Sequence, residues 1–416
     1  MWRRLATRTI AVAVFVGAFA SVAGSEAGPR FRADGPEADA YGRNEGYPLC
    51  SGLAYLRELG CRVGAFSHFD VLFPARTIAA PKSPAPLSRA ASEPDIRYTW
   101  IREKTLDDYL DANHVTGLLI AQGSTILVER YQYGRTDTHR LTSFSMAKTV
   151  IGLLIGIAAT EGVIRSIDDA AEIYVPGLKD TEYGRTPIKS LLQMASGVRF
   201  RETYTDFNSD VYLLARLTLE QDPAGSVAAL KRFDSRYAPP GRHFSYSSAE
   251  SLVLGLVLAG ATGRTVADYA SEKLWSPLGA EADASWIIDA RGQEITFAYV
   301  NAVLRDWARL GLMLAHDGTW NGKTIIPRDW LLAATSIGRD SPFWWSGMKP
   351  GAHAPGYGYQ VWLLLADRRA FALRGLRGQF VIVDPEKKLV LVQTSLRDGN
   401  EQELYALWHA LASQLP

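Results

Sequence analysis

Leu141-Thr142-Ser143-Phe144-Ser145-Met146-Ala147-Lys148-Thr149-Val150 is the stretch whose reading decides the fold. From Ser145 it opens a helix running to about Thr160, in which Ile151, Leu153, Leu154, Ile155, Ile157 and Ala158 leave almost no polar face. A helix that is apolar all round belongs inside a domain. Its first turn nevertheless carries Ser145 and Lys148, which at i and i+3 share one face, a turn apart. The positive end of the helix dipole and the loss of hydration both push a lysine pKa down. The pair therefore reads as a nucleophile with its base. The alternative is a plain N-cap beside a lysine that snorkels to the surface.

The surrounding chain has 416 residues, enough for one large domain or two medium ones with a sizeable core. Forty-five basic against forty-four acidic side chains leave no global field to attract nucleic acid or anionic lipid. Residues 1–24 stand apart. Arg3, Arg4 and Arg8 precede an apolar run from Ile10 to about Ala20, and Ser21, Ala23 and Gly24 follow. That is the pattern of a secretory signal, too short for a comfortable transmembrane span, with an uncleaved anchor as the alternative. The expected location is therefore exported, periplasmic or secreted. Cys50 and Cys61, the only cysteines, are expected to form a disulfide in such a compartment.

Residues 25–96 are rich in Gly, Pro, Ala and Ser and read as an extension wrapped on the main domain, with a linker from Ala79 to Ser92. The main domain runs from 97 to 416. Thr105 caps a helix over Leu106–Asn113, and Val115–Gln122 with Thr125–Tyr133 form a hairpin. From about 162 to 315 the signals are helical: Ile188–Met194, Ser209–Leu219, Ser247–Ala261, Val266–Leu274 and Val300–Ala315. Four strands follow at Tyr357–Leu365, Arg369–Leu373, Gln379–Asp384 and Leu389–Thr394, then a closing helix over Glu401–Gln414. The fold class is α+β: an antiparallel sheet built from both ends of the chain, flanked by helices, with an inserted all-α lobe.

A bare S-x-x-K is a weak signal. A second match, Ser346 to Lys349, runs into Pro350-Gly351 and is dismissed because no helix joins its two ends. Two other stretches add weight to Ser145. Pro239-Pro240-Gly241-Arg242-His243-Phe244-Ser245-Tyr246-Ser247-Ser248 is a rigid turn that leads into an apolar helix and projects a tyrosine from a loop. Its phenol is suited to proton transfer if neighbouring cations lower its pKa. Arg374-Gly375-Leu376-Arg377-Gly378-Gln379 sets two glycines at a strand junction, where backbone can approach a ligand and complete an oxyanion hole.

In this order the three stretches resemble the serine β-lactamase and penicillin-recognising hydrolase superfamily. The likeness is to its class C-type branch, which includes esterases, D-amino peptidases and 6-aminohexanoate-dimer hydrolases. It also takes in Leu192-Gln193-Met194-Ala195-Ser196-Gly197 and Asp384-Pro385, and so covers roughly Arg97 to the C-terminus. The S-x-x-K motif falls on Ser145 and Lys148, and the Y-x-S motif on Tyr246 and Ser248. The third motif, K-T-G in lactamases, is replaced by Arg374-Gly375 and a following Arg377-Gly378-Gln379, which looks like the nylon-oligomer-hydrolase branch.

The resemblance implies acylation of Ser145, Lys148 as base or proton relay, and Tyr246 as proton donor to the leaving group. It also implies an oxyanion hole from the N–H groups of Ser145 and Leu376. Substrate contacts are expected from Tyr204, Ser248, Gly375, Gly378 and Gln379, with Tyr204 equally open to a structural role. Arg374 and Arg377 are the only positive charges near the third motif, so weak or no β-lactamase activity is expected. The seven histidines are scattered with no H-x-x-x-H pair, so neither a metal nor a cofactor is expected. No G-x-S-x-G elbow or glycine-rich phosphate loop is present. The expected partner is a small amide or ester. The alternatives are a D,D-peptidase or penicillin-binding protein, and a non-catalytic binding protein on the same fold.

Overall fold

The structure, a computed structural model, describes residues 33–336, 356–364, 368–397, 399 and 401–416. The signal-like segment and the second S-x-x-K match lie outside the described residues. The strands that frame the site are β1 (Ala75–Ile78), β2 (Ser88–Arg89), β3 (Val115–Gln122), β4 (Thr125–Tyr131), β5 (Leu141–Thr142) and β6 (Ala284–Ile287). They continue as β7 (Val300–Ala302), β8 (Gly356–Tyr357), β9 (Trp362–Leu363), β10 (Phe371–Gly375), β11 (Gln379–Asp384) and β12 (Leu389–Ser395). The helices used below are α1 (Leu106–Ala112), α2 (Met146–Thr160), α3 (Ser248–Thr262), α4 (Leu304–Ala315) and α5 (Glu401–Gln414).

The main sheet runs in the order β8-β9-β10-β11-β12-β3-β4-β2 and is antiparallel except for β2, which joins β4 in parallel. Its centre pairs the two ends of the chain, with Leu391 opposite Ile120 and Val392 opposite Leu119. Both faces are buried. Leu119, Ala121, Val381, Val390 and Val392 point into the larger core with α4, while Leu118, Ile120, Ile382 and Leu391 meet α1 and α5. Two covered faces explain why β3 and β12 are continuous apolar runs and not alternating ones. Thr105 caps α1 through a reciprocal bond with Asp108.

The stretch from 162 to 315, expected to be all-helical, is not. A second sheet in the order β1-β6-β7-β5 draws two of its strands from it. The expected helix Val300–Ala315 is the strand β7 followed by α4, whose first turn begins at Leu304. Apolar residues at both strand and helix spacing conceal that break. The helix α4 packs on the main sheet and not in the lobe.

Residues 33–78 do wrap on the domain, and they contribute to its core: Tyr41, Tyr55, Phe66, Phe69 and Phe73 are buried in the same cluster as α2. The Cys50–Cys61 disulfide is formed. Strand β1 completes the second sheet against β6.

Helices α2 and α3 are buried along nearly all their length and pack on each other. Gly255 on α3 has a packing reason: a Cβ there would lie 2.2 Å from Thr296 Oγ1, which is itself bonded to the Ser251 carbonyl. Alanine would gain about 1 kcal/mol of helix propensity, but overpacking of this kind costs about 1–3 kcal/mol. Gly255→Ala is therefore expected to lower the melting temperature; a rise would contradict the close approach of Thr296.

Candidate active site

Strand β5 delivers the chain into the site. Ser143 donates its N–H to the Val300 carbonyl at 2.8 Å and accepts from the Val300 N–H on its hydroxyl at 3.0 Å. Phe144 then takes a left-handed backbone, φ 42°. Such a conformation in a non-glycine residue costs of order 1–3 kcal/mol and survives only under tight packing. The packing is aromatic: Phe66, Phe69 and Tyr299 surround the Phe144 ring at centroid distances of 5.0, 6.3 and 6.0 Å. Ser145 follows as the residue that opens α2.

Lys148, 1% exposed, sends its Nζ to three oxygens. They are Ser145 Oγ at 3.0 Å, Ser248 Oγ at 3.1 Å and the Phe297 carbonyl at 2.8 Å. Burial lowers its pKa to about 8, opposed in part by the carboxylate of Glu202. A good fraction of the amine is thus uncharged at mildly alkaline pH, and its hydrogen-bond geometry points at the serine oxygen.

Tyr246 reaches the same point from the loop before α3. Its hydroxyl is near enough to that of Ser145 for the serine to lower its pKa, and Lys148 Nζ lies 5.1 Å from its ring centroid. The ring stacks on Trp362 at 5.4 Å and meets Tyr357 edge-on. The sequence makes proton transfer by this phenol conditional on neighbouring cations that lower its pKa. Burial raises it, aided by Glu202, and the nearby Ser145 hydroxyl and the charge of Arg374 offset only part of this. The phenol therefore holds its proton near neutral pH and is equipped as a donor.

The third segment closes the site from the sheet. A Cβ on Gly375 would lie 2.2 Å from the Ser143 carbonyl oxygen, so only glycine lets β10 press against the turn that presents Ser145. Leu376 consequently borders the site with Ser145. Gly378 and Gln379, expected to touch substrate, serve the turn instead. The Gln379 side chain is buried and donates to the carbonyls of Leu376, Arg377 and Ser395, while its oxygen accepts from the Ser395 N–H. Gly378 packs against Ser395 and the Arg397 carbonyl. Arg374 does line the cleft, but both oxygens of Glu401 hold its guanidinium at 2.6 Å.

Glu202 escaped the sequence reading. It accepts from the Ser248 N–H at 2.8 Å, the Ser248 hydroxyl at 2.7 Å and the Tyr204 hydroxyl at 2.5 Å. Ser248 therefore bridges Lys148 to a carboxylate and orients the amine. Tyr204 sits at the cleft mouth with its ring partly exposed. The only signal for Glu202 was its place two residues before Tyr204 in a loop.

These groups open onto a cleft of about 600 Å³ bordered by Ser145, Tyr246, Trp362, Arg374 and Leu376. The comparisons with known proteins agree with that arrangement. The family model described as Beta-lactamase matches residues 103–415. A 6-aminohexanoate-dimer hydrolase from Paenarthrobacter ureafaciens is 26% identical over 359 residues, 84% of this chain and 88% of that protein. A D-aminopeptidase from Brucella anthropi is 28% identical over 118 residues, 27% of this chain and 20% of its own. The solved structure of a "putative 6-aminohexanoate-dimer hydrolase" from Bacillus anthracis superposes with TM-score 0.77 at 24% identity, covering 87% of this chain and 97% of that one. Residues 103–415 span most of the chain and contain every side chain of the cleft, so the protein belongs to the Beta-lactamase family and is a serine hydrolase.

Proposed function

We infer that the protein hydrolyses a small amide or carboxylic ester through an acyl-enzyme on Ser145. The observation that carries this is the 3.0 Å contact between Lys148 Nζ and Ser145 Oγ, made by an amine that burial brings to a pKa of about 8. Lys148 takes the Ser145 proton as Oγ bonds to the carbonyl carbon. The charge that develops on the carbonyl oxygen falls to the N–H groups of Ser145 and Leu376. Tyr246 donates its proton to the departing nitrogen or oxygen and is reprotonated from Lys148. Water then releases the acid by the reverse sequence. The amide-cleaving relatives support the substrate class. Export is supported by the signal-like residues 1–24 and by a disulfide suited to an oxidising compartment.

A fluorophosphonate probe is expected to label Ser145, and the mass spectrum that locates the label also reads the mature N-terminus, expected near residue 25. Ser145→Ala should lose label and turnover, Lys148→Met at least about a thousandfold in kcat, and Tyr246→Phe about a hundredfold. Undiminished hydrolysis by Ser145→Ala would remove the assignment.

The rate is expected to rise with pH through about 8, where Lys148 loses its proton, and then to level off. Glu202 favours the charged amine, so Glu202→Gln lowers the lysine pKa and moves this limb to lower pH. A limb that stays in place separates Glu202 from the base.

Arg374 of the third motif lines the cleft, and Glu401 neutralises it. A β-lactam carboxylate therefore finds little to grip, and turnover of a chromogenic cephalosporin should be far slower than that of a simple ester. Rapid turnover would overturn the substrate class.

A further inference from the structure

A second cavity of about 40 Å³ also opens at Ser145, and Tyr246 takes no part in it. Its wall includes Phe144, Val211, Ala215 and Phe297, together with Tyr55 and Leu56 from the loop bracketed by Cys50 and Cys61. Among the described residues no charged side chain lines it, whereas Glu202, Arg374 and Glu401 line the larger cleft. Of the hydroxyls at its wall, that of Tyr212 donates to the Tyr204 carbonyl, that of Tyr204 to Glu202, and that of Ser248 to Glu202 while accepting from Lys148. What remains for a ligand is an apolar slot.

The loop is fixed in place. Arg62 donates to the Tyr55 carbonyl at 3.2 Å and to the Leu56 carbonyl at 3.5 Å. The Tyr55 ring packs edge-on against Phe66 and Phe69, and Arg57 lies 4.9 Å from the centroid of Phe207. The loop thereby ties the disulfide to the segment that carries Glu202 and Tyr204.

A leaving group must face Tyr246, which borders only the larger cleft, so the acyl chain attached to Ser145 is directed into the small cavity. This step rests on Ser145 as the nucleophile. We propose that the Cys50–Cys61 loop is the specificity-determining wall of an acyl pocket, and that Tyr55 and Leu56 restrict the acyl group to a short, uncharged, unbranched chain. One water needs roughly 10–15 Å³ of such space, so the slot takes only a few heavy atoms. The loop lies before the residues that the family model matches, in the N-terminal extension.

The test compares p-nitrophenyl acetate, butyrate and octanoate on the full chain, with fluorophosphonate labelling of Ser145 followed in parallel. For the wild type, kcat/KM should fall at least about tenfold from butyrate to octanoate. Leu56→Ala should raise the octanoate-to-acetate ratio by about tenfold and Leu56→Phe should lower the butyrate-to-acetate ratio by a similar factor. The double variant Cys50→Ser, Cys61→Ser should move the ratio in the direction of Leu56→Ala, mainly through KM. A flat wild-type profile overturns the proposal, as do ratios unchanged in Leu56→Ala and Leu56→Phe chains that still label. If Leu56→Ala does not fold, the wild-type profile and Leu56→Phe decide. Loss of the Ser145 assignment itself would show separately, as hydrolysis surviving in Ser145→Ala.

Discussion

A lysine amine kept out of water is the constraint on which the rest of the structure depends. An isolated buried ammonium is costly, and the usual response is a depressed pKa or full hydrogen bonding. Here both operate. Helix α2 supplies Lys148, α3 supplies Ser248, and the segment before β7 supplies the Phe297 carbonyl. Glu202 adds a negative charge one hydroxyl away, close enough to hold the serine but not in contact with the amine. The two helices must lie side by side for this to happen. Their small residues are accordingly pressed against neighbours, as at Gly255 against Thr296 and Gly152 against Gln360.

The second constraint is the turn that presents Ser145. Its left-handed Phe144 is held by rings from the N-terminal extension, and its Ser143 carbonyl is overlaid by the end of β10 at Gly375. Segments far apart in sequence thus meet on three consecutive residues. The extension is consequently part of the machinery's support and not an appendage, which its Gly- and Pro-rich composition had disguised.

Much of the centre was legible from local signals. Ser145 and Lys148 are a turn apart on one helix, and Tyr246 sits in a Pro/Gly turn before another, so their roles suggest themselves and their side chains do meet. Groups whose use depends on distant partners were not legible. Gln379 stands in a ligand-like motif, yet its amide is consumed by the turn it closes. Arg374 resembles a carboxylate grip until Glu401, at the start of α5, folds onto it. Glu202 is one acid in a charged loop, and nothing local connects it to Ser248. The burial that raises the pKa of the Tyr246 phenol cannot be read from a loop sequence. Strand β7 was absorbed into a helix because its valine and the residues after it suit either period.

The central pairing of β3 with β12 joins residues some 270 positions apart, as Leu391 opposite Ile120 shows. Bringing such distant segments together is entropically slow, and contacts of this span are late events in folding. Gly375 and Leu376 hang from that closure, since β10 is anchored through β11 to β12. A chain still emerging, or crossing a membrane unfolded, would carry Ser145 and Lys148 with no sheet edge beside them. Hydrolytic competence would therefore be acquired all at once, at the end of maturation, and not by degrees.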